Sequence, residues 1–154
     1  RNQQVLSVAI REAEHLIGGE MTRLSGRCLC GAIEFDIDPK SLDVTACHCS
    51  QCRQWSGNYW TSITAPLASL HFTKGEENVG WFRASDYARR GSCKTCATSL
   101  FWHGDKLDEF KDRIGVGAGT ISGMTGAQIN EHIFVADKGD YYRLADSVPQ
   151  KQTF

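Results

Sequence analysis

The chain has 154 residues and sets 17 Lys plus Arg against 18 Asp plus Glu, a formal charge of −1. That length points to one domain with a core of its own, and the balance of charge excludes the basic excess on which nucleic-acid binders rely. No apolar run approaches the ~18 residues of a membrane-spanning helix, and an aromatic content of 10% argues against a disordered chain.

The first element expected is a short amphipathic helix. Val5, Ala9, Ala13 and Leu16 fall on one stripe with Leu6, Ile10 and Ile17 beside them, and Gly18-Gly19 ends it. Met21 then opens a stretch that would serve as an ordinary start. Residues 1–20 are therefore read as an N-terminal extension, native or introduced in cloning, and 21–154 as the domain. From Gly26 the signal is β. Ile33, Phe35 and Ile37 alternate with Glu34 and Asp36 until Asp38-Pro39-Lys40 breaks the run. Further strands are expected at 42–46, 59–64, 70–73, 79–83, 99–103, 113–116, 132–135 and 141–144. One helical turn is expected at 50–56, and turn formers such as Lys74-Gly75 and Gly104-Asp105 lie between strands. Short strands at even spacing indicate a mainly β, antiparallel domain. The run Gly115-Val116-Gly117-Ala118-Gly119 lacks the spacing and the following helix of a dinucleotide loop and reads as a plain loop.

Cysteine is the outlier. Cys28, Cys30, Cys47, Cys49, Cys52, Cys93 and Cys96 make an odd count of seven, so an all-disulfide scaffold would leave one thiol over. Arg1-Asn2-Gln3-Gln4 carries no secretory-type apolar segment, and a cytoplasmic location is expected; there, closely spaced cysteines more often hold metal than cross-link. Cys28-Leu29-Cys30 and Cys93-Lys94-Thr95-Cys96 supply the two pairs of a four-thiolate zinc shell. Closing the chain between Cys30 and Cys93 costs about 3.7 kcal/mol of loop entropy, which zinc binding at roughly 10–16 kcal/mol offsets.

Cys47-His48-Cys49-Ser50-Gln51-Cys52 leaves three more thiols for a second zinc with an open fourth position. The alternative is a shell closed by His48, His103 or His132. His48 points awkwardly for chelating the ion bound by its neighbours, and suits an acid, base or supporting role better. Three thiolates leave a zinc unit at −1, a weaker Lewis acid than zinc on three neutral histidines, so zinc-hydroxide hydrolysis is a poor match. Holding an incoming thiol as thiolate suits such a site better.

Gly26-Arg27-Cys28-Leu29-Cys30-Gly31-Ala32, Cys47-His48-Cys49-Ser50-Gln51-Cys52-Arg53 and Cys93-Lys94-Thr95-Cys96 resemble the motifs of the glutathione-dependent formaldehyde-activating enzyme family, which also contains centromere protein V. The likeness runs from about Gly26 to Pro149, with His132-Ile133 and Asp146-Ser147-Val148-Pro149 resembling the family's C-terminal pattern. The resemblance implies a zinc-stapled antiparallel β-tent similar to methionine sulfoxide reductase B. It implies two zinc ions, a structural one on Cys28, Cys30, Cys93 and Cys96 and a catalytic one on Cys47, Cys49 and Cys52. It also implies a carbon–sulfur lyase that joins glutathione, as cosubstrate, to formaldehyde. One departure stands out: Cys96-Ala97-Thr98-Ser99 has alanine where the family usually has glycine, so a left-handed cap there is strained and the turn is expected to differ.

Glutathione carries two carboxylates, for which Arg53, Arg89 and Arg90 are the candidate guanidinium partners. Trp55, with Tyr59 and Trp60, is a candidate pocket wall. The expected partners are a small thiol and an aldehyde, with neither nucleic acid nor membrane, and a homo-oligomer is compatible with the sequence. The competing class is a non-catalytic zinc-stapled binding module with a closed second site. Methionine sulfoxide reduction is disfavoured, since it needs free redox cysteines and two metal sites would claim all seven.

Overall fold

The structure is a computed structural model that describes residues 22–154; the helix expected at 5–17 and the extension at 1–20 lie outside the described residues. The described chain is mainly β. Its strands are β1 (Leu24–Arg27), β2 (Glu34–Ile37), β3 (Asp43–Cys47), β4 (Trp60–Pro66), β5 (His71–Lys74), β6 (Val79–Arg83), β7 (Arg89–Cys93), β8 (Ser99–His103), β9 (Arg113–Gly117) and β10 (Gln128–Ile133), with one helix, α1 (Ser50–Ser56), between β3 and β4. They form a three-stranded sheet β1-β2-β5 and a seven-stranded sheet β10-β3-β4-β9-β8-β7-β6. No helix among the described residues is long and apolar enough to cross a membrane.

The alternation at 33–37 buries Ile33, Phe35 and Ile37 against the larger sheet, where Val44, Ile63, Leu100, Phe101, Ile114 and Val116 face them. Phe101 meets Phe35 and Phe72 edge-on, with ring centroids 5.1 and 5.8 Å apart. The core is therefore the seam between the two sheets, and elements from both sides of it converge on the cysteines.

Four expectations are corrected. Pairing is not wholly antiparallel, because β10 runs parallel to β3 after the 118–127 excursion returns the chain in the same direction. The strand expected at 132–135 lies at 128–133, and it stops where Phe134 turns left-handed at φ 55°. Residues 141–144 form no strand; what holds them is a turn in which the Lys138 ammonium caps the Tyr142 carbonyl at 3.1 Å. β1 and β7 were not expected, β7 because its inward positions are Arg90, Gly91 and Cys93 and carry no apolar alternation.

Candidate metal centres

The two cysteine groups assemble as the spacing suggests. The sulfurs of Cys28, Cys30, Cys93 and Cys96 lie within 4.8 Å of one another, as do those of Cys47, Cys49 and Cys52. All seven are free thiols.

In the first group Cys28 and Cys30 follow β1, while Cys93 ends β7 and Cys96 sits in the turn to β8. The cluster therefore ties the smaller sheet to the larger. Sulfur separations of 3.6 Å (Cys28 to Cys30) and 3.8 Å (Cys30 to Cys93) match the ~3.8 Å edge of a tetrahedron with zinc–sulfur bonds of ~2.3 Å, so the residues fit the ion. Donors are aimed at three of these sulfurs: Ile33 N–H at Cys28 (3.3 Å), Thr95 N–H at Cys93 (3.4 Å) and the Thr98 hydroxyl at Cys96 (3.1 Å). Thr98 brings the Cys96 thiol down to about 5. Ala97 keeps the left-handed cap, at φ 59°, and its N–H still reaches the Cys93 carbonyl at 2.9 Å. The turn expected to differ adopts the glycine conformation with alanine in it.

The second group is local in sequence. Cys47 ends β3, Cys49 caps α1 by accepting the Cys52 N–H on its sulfur at 3.4 Å, and Cys52 is buried in the first turn of α1. Gly57, at φ 79°, closes the helix with its N–H on the Arg53 carbonyl. Hydrogen bonds from Cys47 and Cys52 push the Cys49 thiol far down; Cys47, the donor to Cys49, is pushed far up. Three sulfurs within reach of one ion, one of them already disposed to ionise, fit a zinc with three protein ligands.

The three histidines considered as a fourth ligand are all committed elsewhere. His103 engages Arg89 through Nδ1 and the Lys111 carbonyl through Nε2. His48 and His132, 0% and 1% exposed, belong to a chain running Tyr142–His48–His132–Asp146, with contacts of 2.6, 2.9 and 3.0 Å. A protonation pattern that satisfies every atom can be written. The Asp146 carboxylate only accepts, so His132 donates from Nε2, and in this pattern it accepts at Nδ1. His48 then donates from Nε2, and its Nδ1 accepts the Tyr142 hydroxyl. Burial, followed by the neighbouring His132, holds His48 down to about 4.

This chain also explains the C-terminal pattern seen in the sequence. The His132 N–H donates to the Pro149 carbonyl and the Lys151 N–H returns to the His132 carbonyl, so residues 146–151 are laid beside β10 with Asp146 facing the imidazole. Sequence reasoning missed Tyr142, because no spacing rule links it to a residue 94 positions away.

The candidate substrate residues are divided by the fold. Neighbours on β7, Arg89 and Arg90 face opposite sides. Arg89 lies over Trp81 at 4.3 Å and against His103, away from the three cysteines. Arg90 reaches them: its Nη2 is 3.6 Å from the Cys52 sulfur and 3.3 Å from Gln51 Oε1, and its guanidinium lies 4.9 Å from the Trp55 ring centre. Trp55 is half-buried and packs on Trp60 at 5.0 Å. Arg53 follows Cys52, donates Nε to the Asp137 carbonyl at 3.0 Å, and is half-exposed.

A crystal structure of a Rhodobacter sphaeroides protein superposes with a TM-score of 0.58 at 23% identity, covering 68% of this chain and 96% of that one, a likeness of fold. A Schizosaccharomyces pombe protein named as an uncharacterized lyase is 26% identical over 126 residues, 82% of this chain and 88% of that one. The family model for the glutathione-dependent formaldehyde-activating enzyme matches residues 23–137, a span that includes both cysteine groups, and the chain belongs to that family.

Proposed function

We propose that this protein is a carbon–sulfur lyase that brings a thiol, glutathione, to the three-cysteine centre for reversible addition to formaldehyde or a related small aldehyde. The observation that carries this reading is a cluster of three sulfurs with no fourth protein ligand among the described residues, the ring nitrogens of His48, His103 and His132 all being engaged elsewhere. Family membership and the lyase name of the yeast relative support the reaction class. The four-cysteine cluster has the structural role.

Cys47, Cys49 and Cys52 would hold a zinc, which when bound would supply the Lewis acidity that favours an incoming thiol as thiolate near neutral pH. In the addition, the sulfur lone pair forms the carbon–sulfur bond, the carbonyl π pair moves to oxygen, and that oxygen takes up a proton; the reverse breaks the bond and returns the aldehyde. Arg53 is the residue assigned to a glutathione carboxylate, since only its Nε is used by the protein backbone and its terminal nitrogens suit bidentate capture. Trp55, two positions on, packs instead against Trp60 and Arg90. We place the protein in the cytoplasm, with small molecules as its partners.

Exchange between formaldehyde plus glutathione and S-hydroxymethylglutathione, followed by NMR, tests the proposal. The wild type should accelerate exchange and C49S should abolish the acceleration. S-methylglutathione, which keeps the carboxylates but cannot ionise at sulfur, should not compete. A C49S variant as fast as wild type, or effective competition by S-methylglutathione, contradicts thiol activation at this centre.

A further inference from the structure

Arg90 is 5% exposed, and both its Nε and Nη1 lack a hydrogen-bond partner. No carboxylate pairs with it among the described residues. An arginine cannot shed its charge when buried, so this cation has to be balanced by something nearby. The Gln51 carboxamide is neutral, and the Trp55 cation–π contact is too weak to offset the burial of an unpaired ion. The remaining neighbour is the Cys52 sulfur.

We propose that Arg90 is the fixed counter-charge of the three-cysteine centre, holding three thiolates on one zinc through Cys52, and is not a clamp for substrate carboxylates. The charges close: Zn²⁺ with three thiolates carries −1, and the guanidinium brings the enclosed unit to zero. Gln51 holds the device in place, its Oε1 accepting from Arg90 while its Nε2 donates to the Ala84 carbonyl at 3.2 Å. A guanidinium donating to Cys52 also draws electron density off that sulfur, leaving the metal a better acceptor for a fourth thiolate than three unassisted cysteines would. Arg90 is thus a positioning and charge-setting residue that acts through a ligand, and this assignment rests on the zinc reading of that cluster.

The test is metal binding without thiol or aldehyde, on wild type, R90Q and R90K. Zinc retention against a chelator should show two ions in the wild type. R90Q should hold the second at least about tenfold more weakly, while the four-cysteine zinc, reporting an intact fold, stays in place. R90K, which keeps the charge, should stay within about threefold of wild type. With cobalt in place of zinc, the sulfur-to-metal absorption should move to longer wavelength in R90Q, because the undonated thiolate gives up its electrons more readily. Equal affinity and an unshifted band in R90Q overturn the proposal, as does an R90K as damaging as R90Q, which would make guanidinium packing the requirement. Should R90Q lose the four-cysteine zinc as well, R90K alone decides by the same criterion. A wild type that binds a single zinc would instead defeat the zinc reading of the cluster itself.

Discussion

The two cysteine groups use the same ligand chemistry and are held in opposite ways. Cys28, Cys30, Cys93 and Cys96 come from sequence positions up to 68 apart on two different sheets, so the ligands themselves staple the fold. Cys47, Cys49 and Cys52 come from six consecutive residues and staple nothing. Their position is fixed by residues beside the ligands: His48 tied to Tyr142, His132 and, through His132, the C-terminal segment, Arg53 to the Asp137 carbonyl, and Arg90 arriving from β7. A centre built this way can exchange its fourth ligand without straining the sheets, whereas losing a ligand from the other opens the seam that contains the core.

The sharpest way to break this contrast is to remove one ligand from each group. C93S should destroy the soluble fold or cost more than about 4 kcal/mol, since the loop it closes loses its metal. C49S should melt within about 1 kcal/mol of wild type, because serine also caps helices, while binding one zinc fewer. Thermal melts with elemental analysis check both. Equal damage from the two substitutions would erase the distinction between staple and local site.

Next in size are the supports of the local centre. H48A leaves His132 Nδ1 and the Tyr142 hydroxyl unpaired and opens a cavity in a fully buried position, so a loss of about 3 kcal/mol is expected from denaturant unfolding. Y142F removes one hydroxyl and should cost about 1 kcal/mol.

The same chain gives the local centre a pH signature. His48 sits at about 4 in the folded protein against ~6.5 in an unfolded chain. Between those values the unfolded chain binds the extra proton, so stability falls as pH drops through this window and is regained as pH rises. H48N, less stable throughout, should lose that part of the slope. An identical slope in H48N would mean that other groups carry it.

The smallest effect belongs to the stapled group. Ala97 holds φ 59°, a conformation that costs an alanine roughly 1 kcal/mol over glycine, so A97G should raise stability by about that amount in the same unfolding assay.

What the sequence revealed follows the physics of each segment. Strands with one apolar face, such as 33–37 and 42–46, were legible, and so were both cysteine groups, because metal-ligand spacing is itself sequential. β7 was hidden because a strand that buries Arg90, Gly91 and Cys93 has no hydrophobic period. The 128–133 strand was displaced by its polar leading residues Gln128 and Asn130. Tyr142 was read as part of a strand when it makes a long-range hydrogen bond to His48, and nothing in the sequence around Arg90, named only as a candidate partner for a carboxylate, signalled its burial. Tyr142 and Arg90 share one cause: their partners are distant in sequence, so their contacts leave no sequential pattern.

Zinc X-ray absorption on the two-zinc protein, before and after saturating glutathione, tests the central claim most directly. An open three-cysteine zinc beside a four-cysteine zinc gives an averaged shell with a minor oxygen contribution, and glutathione should replace that oxygen with sulfur at ~2.3 Å. A spectrum unchanged by glutathione, or one with nitrogen in the shell beforehand, would contradict the account and leave the second centre closed.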